Sequence, residues 1–289
     1  MRLKSPAAAG LLFLALGFGG LAGALAQGDA KRGEYLSKAG GCLGCHTEEK
    51  AGAVPYAGGR ALKTPFGTFY GPNITPHPEA GLGRWSEADF IRALREGRRP
   101  DGANYFPAFP YPSFTKISDA DLRDLWAYLR TLPPNATPSR PHELGFFYRW
   151  RFLVTIWKWF FFTPGAFVAD AARSAQLNRG AYLVQALGHC GECHTPRNFL
   201  GAKKESRELG GAKLGEGTAA PNLTPTRLKS VSDADLKAVL RSGTTAEGDV
   251  LASSMAEVVE NTTSKITEAD LDAIVAYLRA LPALPNEPK

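Results

Sequence analysis

Cys42-Leu43-Gly44-Cys45-His46 and Cys190-Gly191-Glu192-Cys193-His194 set the terms on which this chain can fold. Each is a C-x-x-C-H run, the attachment signature of a c-type haem. Two thiols three residues apart on one helical turn can both reach the vinyl groups of a single porphyrin. The histidine that follows then points its imidazole at the iron. The two runs use all 4 cysteines, so no thiol remains for a disulfide. Cys42, Cys45, Cys190 and Cys193 are the candidate anchors, and His46 and His194 the candidate axial ligands, of two covalently bound c-type haems.

The rest of the chain follows the same offset. Arg32-Gly33-Glu34-Tyr35-Leu36 returns as Arg179-Gly180-Ala181-Tyr182-Leu183. Pro72-Asn73-Ile74-Thr75-Pro76 returns as Pro221-Asn222-Leu223-Thr224-Pro225, and Ala127-Tyr128-Leu129-Arg130 as Ala276-Tyr277-Leu278-Arg279. Two copies of one unit are a duplicated domain, whereas a solenoid needs three or more short repeats. Each copy reads as helical. Ser86, Ser118, Ser232 and Thr267 each precede an acid by three residues, the pattern of a helix N-cap. Leu122, Leu125, Trp126 and Leu129 lie at helical spacing, as do Leu271, Ile274, Val275 and Leu278. Leu132-Pro133 and Leu281-Pro282 end those last helices. Between each C-x-x-C-H run and the next helix, Gly and Pro are frequent, and the chain reads as loop around a haem edge.

On these residues each unit resembles a class I cytochrome c domain. The resemblance implies an all-α fold: two tandem class I cytochrome c domains joined by an aromatic-rich linker. It implies that the first and last helices of each unit cross closely, Gly33 and Tyr35 against Tyr128, and Gly180 and Tyr182 against Tyr277. It also implies that the carbonyls of Pro72 and Pro221 accept hydrogen bonds from His46 and His194. Such bonds orient the imidazole and raise its basicity. As a pair, the units are similar to the cytochrome c subunits of periplasmic membrane-bound alcohol-type dehydrogenases. Those subunits commonly carry three haems, whereas this chain has two attachment runs.

The two units differ at the sixth ligand. Met255 is placed in unit two where the family places its ligating methionine, and a sulfur ligand raises the reduction potential. At the matching distance after Gly97 and Gly102, unit one has Phe109, which cannot ligate iron. Tyr105, Tyr111 and His77 are candidates for a replacement. Otherwise the iron is left five-coordinate under Phe109, or binds a small molecule. In each case the first haem should have the lower potential.

The boundaries follow. Arg2 and Lys4, an apolar stretch and Ala24-Leu25-Ala26 read as a signal peptide over 1–26, which points to the periplasm. The first domain is 27–134, the linker 135–172 and the second domain 173–289. The linker carries Phe146-Phe147-Tyr148-Arg149-Trp150-Arg151-Phe152 and Trp157-Lys158-Trp159-Phe160-Phe161-Phe162. Lys158 and Pro164-Gly165 interrupt it, and a membrane span needs about 20 apolar residues. It can pack along both domains and fix their spacing. Alternatively, 146–162 docks on a membrane surface or partner. The formal charge of +6 is spread along the chain, which argues against nucleic acid. No acid–base or nucleophile arrangement for an organic substrate stands out. The reading is therefore single-electron transfer from a periplasmic dehydrogenase to a downstream cytochrome or terminal oxidase. The rival is a peroxidase-like enzyme or ligand sensor that uses the methionine-less haem.

Overall fold

The computed structural model describes residues 28–214 and 218–286. The expected signal peptide, 1–26, lies outside the described residues. The first half runs α1 (Ala30–Ala39), α2 (Cys42–His46), β1 (Ala61–Thr64), β2 (Gly67–Tyr70), α3 (Glu87–Glu96), α4 (Tyr111–Phe114) and α5 (Asp119–Leu129). The connecting stretch contributes β3 (Glu143–Leu144) and α6 (Phe152–Phe161). The second half runs α7 (Ala175–Tyr182), α8 (Gly191–His194), β4 (Ala212–Lys213), β5 (Ala219–Ala220), α9 (Pro225–Leu228), α10 (Asp233–Ser242), α11 (Ser253–Asn261) and α12 (Glu268–Arg279).

Helices begin at the capping residues. The side chains of Ser86, Ser118, Ser232 and Thr267 accept hydrogen bonds from the N–H groups of Asp89, Asp121, Asp235 and Asp270. Each such cap contributes about 1 kcal/mol.

In each half the first helix crosses the last at a glycine. A Cβ on Gly33 would lie 1.9 Å from the Asp124 carbonyl oxygen and 2.8 Å from Tyr128 Cβ. A Cβ on Gly180 would lie 1.9 Å from the Ala273 oxygen and 2.7 Å from Tyr277 Cβ. Only hydrogen fits at either crossing. The two nearby tyrosines depart from expectation. Instead of staying with their own helix pairs, Tyr35 and Tyr182 exchange halves. The Tyr35 hydroxyl donates to Asp270 and the Tyr182 hydroxyl donates to Asp121. Each hydroxyl also accepts the N–H of the residue that caps the partner helix, Thr267 at 3.2 Å and Ser118 at 3.1 Å. The physical reason is that a buried carboxylate needs donors. Arg179 reaches Asp270 and Arg32 reaches Asp121, each from its own half, and the tyrosine of the other half supplies a further donor.

This exchange makes one core of the two halves. Leu36, Leu94, Leu122 and Leu125 belong to the same buried cluster as Val184, Leu187, Leu271 and Ile274.

A second departure lies after α2. The stretch expected to be loop contains an antiparallel hairpin that pairs Ala61 with Tyr70 and Thr64 with Gly67. β3 then adds as a third strand, pairing Gly67 with Leu144 and Thr68 with Glu143. Gly67 has φ 123°, and a Cβ there would sit 2.3 Å from the Glu143 oxygen. The connecting stretch thus folds back onto the first half. Val154 of α6 is buried with Phe69 and Phe106. Lys158 donates to the Glu96 and Gly97 carbonyls at 2.6 and 2.9 Å, closing the end of α3. Trp157 Nε1 donates to the Leu200 carbonyl of the second half at 3.0 Å. The stretch therefore packs on both halves. It also keeps an aromatic outer face, with Phe147, Trp159 and Phe160 exposed to 68%, 78% and 74%. No helix among the described residues is long and apolar enough to cross a membrane.

Candidate functional site

The C-x-x-C-H runs form short helices, α2 and the turn from Cys190 through α8. This places both sulfurs and the imidazole of each run together. None of the four cysteines is in a disulfide. Burial pushes the Cys42 thiol up to about 11 and the Cys190 thiol up to about 12. A redox C-x-x-C needs the opposite, a thiol lowered towards the thiolate. Cys42 and Cys190 are thus withdrawn from water, while Cys193 is exposed.

The two histidines are held alike. His46 Nδ1 lies 2.7 Å from the Pro72 carbonyl oxygen, and His194 Nδ1 lies 2.7 Å from the Pro221 oxygen. A carbonyl can only accept, so each Nδ1 carries the hydrogen. Each Nε2 is left with its lone pair, the form that ligates a metal. Burial lowers the pKa of both rings, which keeps them neutral. The chain also makes room here. A Cβ on Gly71, just before Pro72, would fall 1.8 Å from the Cys45 carbonyl oxygen, so the proline can reach His46 only because residue 71 is glycine.

Cys42, Cys45 and His46 open onto a cavity of about 880 Å³ in the first half. That is within the upper range of cofactor sites, roughly 300–1,000 Å³. Its walls are mostly apolar, with Ile74, Leu82, Trp85, Phe90, Leu94 and Leu125 among them. One wall is basic. Arg99, Arg140, His142, Arg149 and Arg151 line it, and Asp101 is the one carboxylate among the lining residues. The Arg151 head donates to the Asn104 carbonyl at 2.7 Å and lies 4.4 Å over the Phe106 ring. Burial and the neighbouring Arg99 both lower its pKa. His142 is lowered by burial and by Arg151 and Arg99. Arg99 pairs with Asp101 at 3.1 Å, whereas the partly buried Arg151 is held by a carbonyl and a ring, and withdrawing a charge from water without a carboxylate partner is costly. A porphyrin with two carboxylates fits this cavity: apolar on the ring faces, basic at the edge.

The three sixth-ligand candidates fare differently. Tyr105 is on the cavity wall, its ring 5.2 Å from Phe109. Tyr111 is not among the lining residues. Its ring is buried against Phe162 and directly below Gly97, where a Cβ would meet it at 2.5 Å. His77 also lies off the wall, and its Nδ1 accepts the N–H groups of Glu79 and Ala80 at 3.2 and 3.0 Å. Phe109 itself faces the cavity and packs 5.8 Å from Phe114. In the second half, Met255 is partly buried on α11, which packs against α2 of the first half.

Sequence reasoning missed two wall residues. One is His142. In the structure it accepts the Tyr70 N–H at 3.2 Å and sits between Phe69 and Phe106. The other is His189, which stands directly before Cys190 and yet lines the first cavity. Neither could be found by spacing, because each reaches the cavity from another part of the chain.

A cytochrome c family model matches residues 30–133. The chain is also 42% identical over 261 residues to a diheme cytochrome c-type protein of Cereibacter sphaeroides, covering 89% of this chain and 87% of that one. The chain belongs to the cytochrome c family. Covalently bound c-type haem comes with that membership. Among other cytochromes, the chain is 42% identical over 257 residues to the fructose dehydrogenase cytochrome subunit of Gluconobacter japonicus. That match covers 87% of this chain and 52% of that subunit. It is 38% identical over 269 residues to the cytochrome c subunit of alcohol dehydrogenase (quinone) of Gluconobacter oxydans, covering 89% and 55%. The chain thus spans about half the length of these dehydrogenase subunits.

Proposed function

We infer that this cytochrome carries two haems, one on Cys42, Cys45 and His46 and one on Cys190, Cys193 and His194, with Met255 the sixth ligand of the second. Exported to the periplasm, it passes single electrons from a dehydrogenase to a downstream cytochrome or terminal oxidase. The observation that carries this is the duplicated imidazole anchor, with each Nδ1 on a proline carbonyl. The names of the relatives, cytochrome subunits of fructose and alcohol dehydrogenases, support the electron donor.

The haems supply the one-electron chemistry. The residues of this chain supply its setting. His46 and His194 present neutral Nε2 atoms from a fixed direction. Leu82, Phe90, Leu94 and Leu125 keep water from the ring. Arg151, Arg99 and His142 would meet the carboxylate edge of a haem held on Cys42 and Cys45. The sulfur of Met255, as a ligand, would favour the ferrous state, and Phe109 offers no such ligand. The two sites therefore differ in potential.

Haem content per chain and a redox titration test this reading. Two haems and two separated waves are expected, and one haem or one shared high wave refutes it. Phe109 also favours a second reading, a first haem that reacts with small molecules. Soret shifts on adding carbon monoxide to the reduced protein or peroxide to the oxidised protein would select that reading.

A further inference from the structure

His189 belongs by sequence to the second attachment run and by packing to the first cavity. It stands directly before Cys190. Its ring lies 5.3 Å from Phe114, edge to face, and its imidazole lies against the backbone of Gly40, two residues before Cys42. Its backbone is left-handed, with φ 37°. The matching position of the first half is Gly41, at φ 63°. A left-handed backbone suits glycine and is uncommon for a residue with a side chain. A histidine kept in a glycine's conformation, partly buried at the junction of two sites, calls for a reason.

The surroundings supply one. Both attachment segments face across the same junction. α2 packs against α11, and α4 packs against the turn 183–187 that leads to Cys190. Ser113 of α4 donates to Glu192 at 2.6 Å, and Arg60 donates to both oxygens of Glu257 at 2.9 and 2.8 Å. Beside the first anchor, a Cβ on Gly41 would lie 3.0 Å from Thr262 Oγ1 and one on Gly40 3.9 Å from the Leu187 side chain. The sides on which the two porphyrins are anchored therefore meet. His189 is the side chain that spans from one anchor, Cys190, to the wall of the other cavity.

The geometry points to His189 as the residue that couples the two haem sites, carrying the path of the electron between them. This rests on the two-haem reading above. With both haems bound, the step would be a one-electron exchange: one iron would go from ferrous to ferric and the other from ferric to ferrous, with no bond broken and no proton moved. His189 acts as a positioning and bridging residue, and ligates neither iron.

The test uses the full-length holoprotein with His189→Gly and His189→Phe. Glycine matches Gly41 and relieves the left-handed backbone, so folding should hold. Phenylalanine keeps the ring against Phe114 and removes both nitrogens. Oxidised protein is reduced by a flash of photoexcited flavin, and the redistribution of the electron between the two haems is followed. Equilibrium titration of each variant shows whether the two waves have moved. His189→Gly should slow redistribution about tenfold, equivalent to about 1.4 kcal/mol on the barrier, with both waves in place. His189→Phe should recover part of the rate. An unchanged rate in His189→Gly overturns the proposal, as does a slowing explained by a displaced wave. A parent protein with two haems and no redistribution overturns the electron-transfer reading and this one with it.

Discussion

Removing one hydroxyl, by Tyr182→Phe, measures how firmly the halves are locked. Tyr182 is buried, and its hydroxyl donates to Asp121 while accepting the Ser118 N–H. A hydrogen bond to a charged group contributes about 1.5–3 kcal/mol, and an orphaned buried amide costs about 1 kcal/mol more. Asp121 keeps its bond from Arg32, which limits the loss to about 3 kcal/mol. At about 2–4 °C per kcal/mol for a fold near this size, the melting temperature should fall by about 6–12 °C. Tyr35→Phe removes the mirror-image hydroxyl, but Tyr35 is only partly buried. Water can replace its bonds, and the loss should be about 1 kcal/mol. The assay is thermal unfolding of oxidised holoprotein by circular dichroism at a fixed pH. An unchanged melting temperature in Tyr182→Phe, or a larger loss in Tyr35→Phe, would show that the exchanged tyrosines do not hold the halves together.

Three further outcomes are expected. Phe109→Met places a sulfur on the wall of the first cavity and should raise the lower redox wave, while Met255→Leu should lower the higher one; a spectroelectrochemical titration reads both. Burial alone would raise the Asp270 pKa, but the Arg179 bonds and the Tyr35 hydroxyl hold it below its ordinary 3.8. Its stabilisation is therefore present above pH 3.8 and drains as pH falls through the lower folded value. Asp270→Asn should be less stable than the parent at neutral pH, and its urea midpoint should lose less between neutral pH and pH 3. Trp159→Ala with Phe160→Ala should weaken sedimentation with lipid vesicles while leaving both redox waves unmoved, if the exposed aromatic face meets a membrane.

Most of the helical frame was legible because its signals are local. Ser86, Ser118, Ser232 and Thr267 cap helices through side chains three residues from their targets, and Gly33 and Gly180 mark the crossings. The bonds from His46 and His194 to Pro72 and Pro221 link residues that a repeated motif already brings into register. What escaped was the chemistry between copies. A repeat aligns each unit with itself and says nothing of how one unit faces the other. Tyr35 and Tyr182 therefore looked like members of their own helix pairs, and His189 carried no signal of its own. The hairpin was hidden by a different rule: β1 and β2 are four residues each, too short for alternation to stand out among glycines and prolines.

The strand β3 has a consequence for how the chain can be divided. Cutting after α5, where the helical repeat ends, would leave the first half its cysteines, its histidine and its proline carbonyl. It would also strip away Arg140, His142, Leu144, Arg149 and Arg151, all of which line the first cavity. The connecting stretch is thus no tether whose length can drift or be exchanged for a flexible spacer. A deletion there acts on the first cavity, so the two halves can no longer be separated as modules.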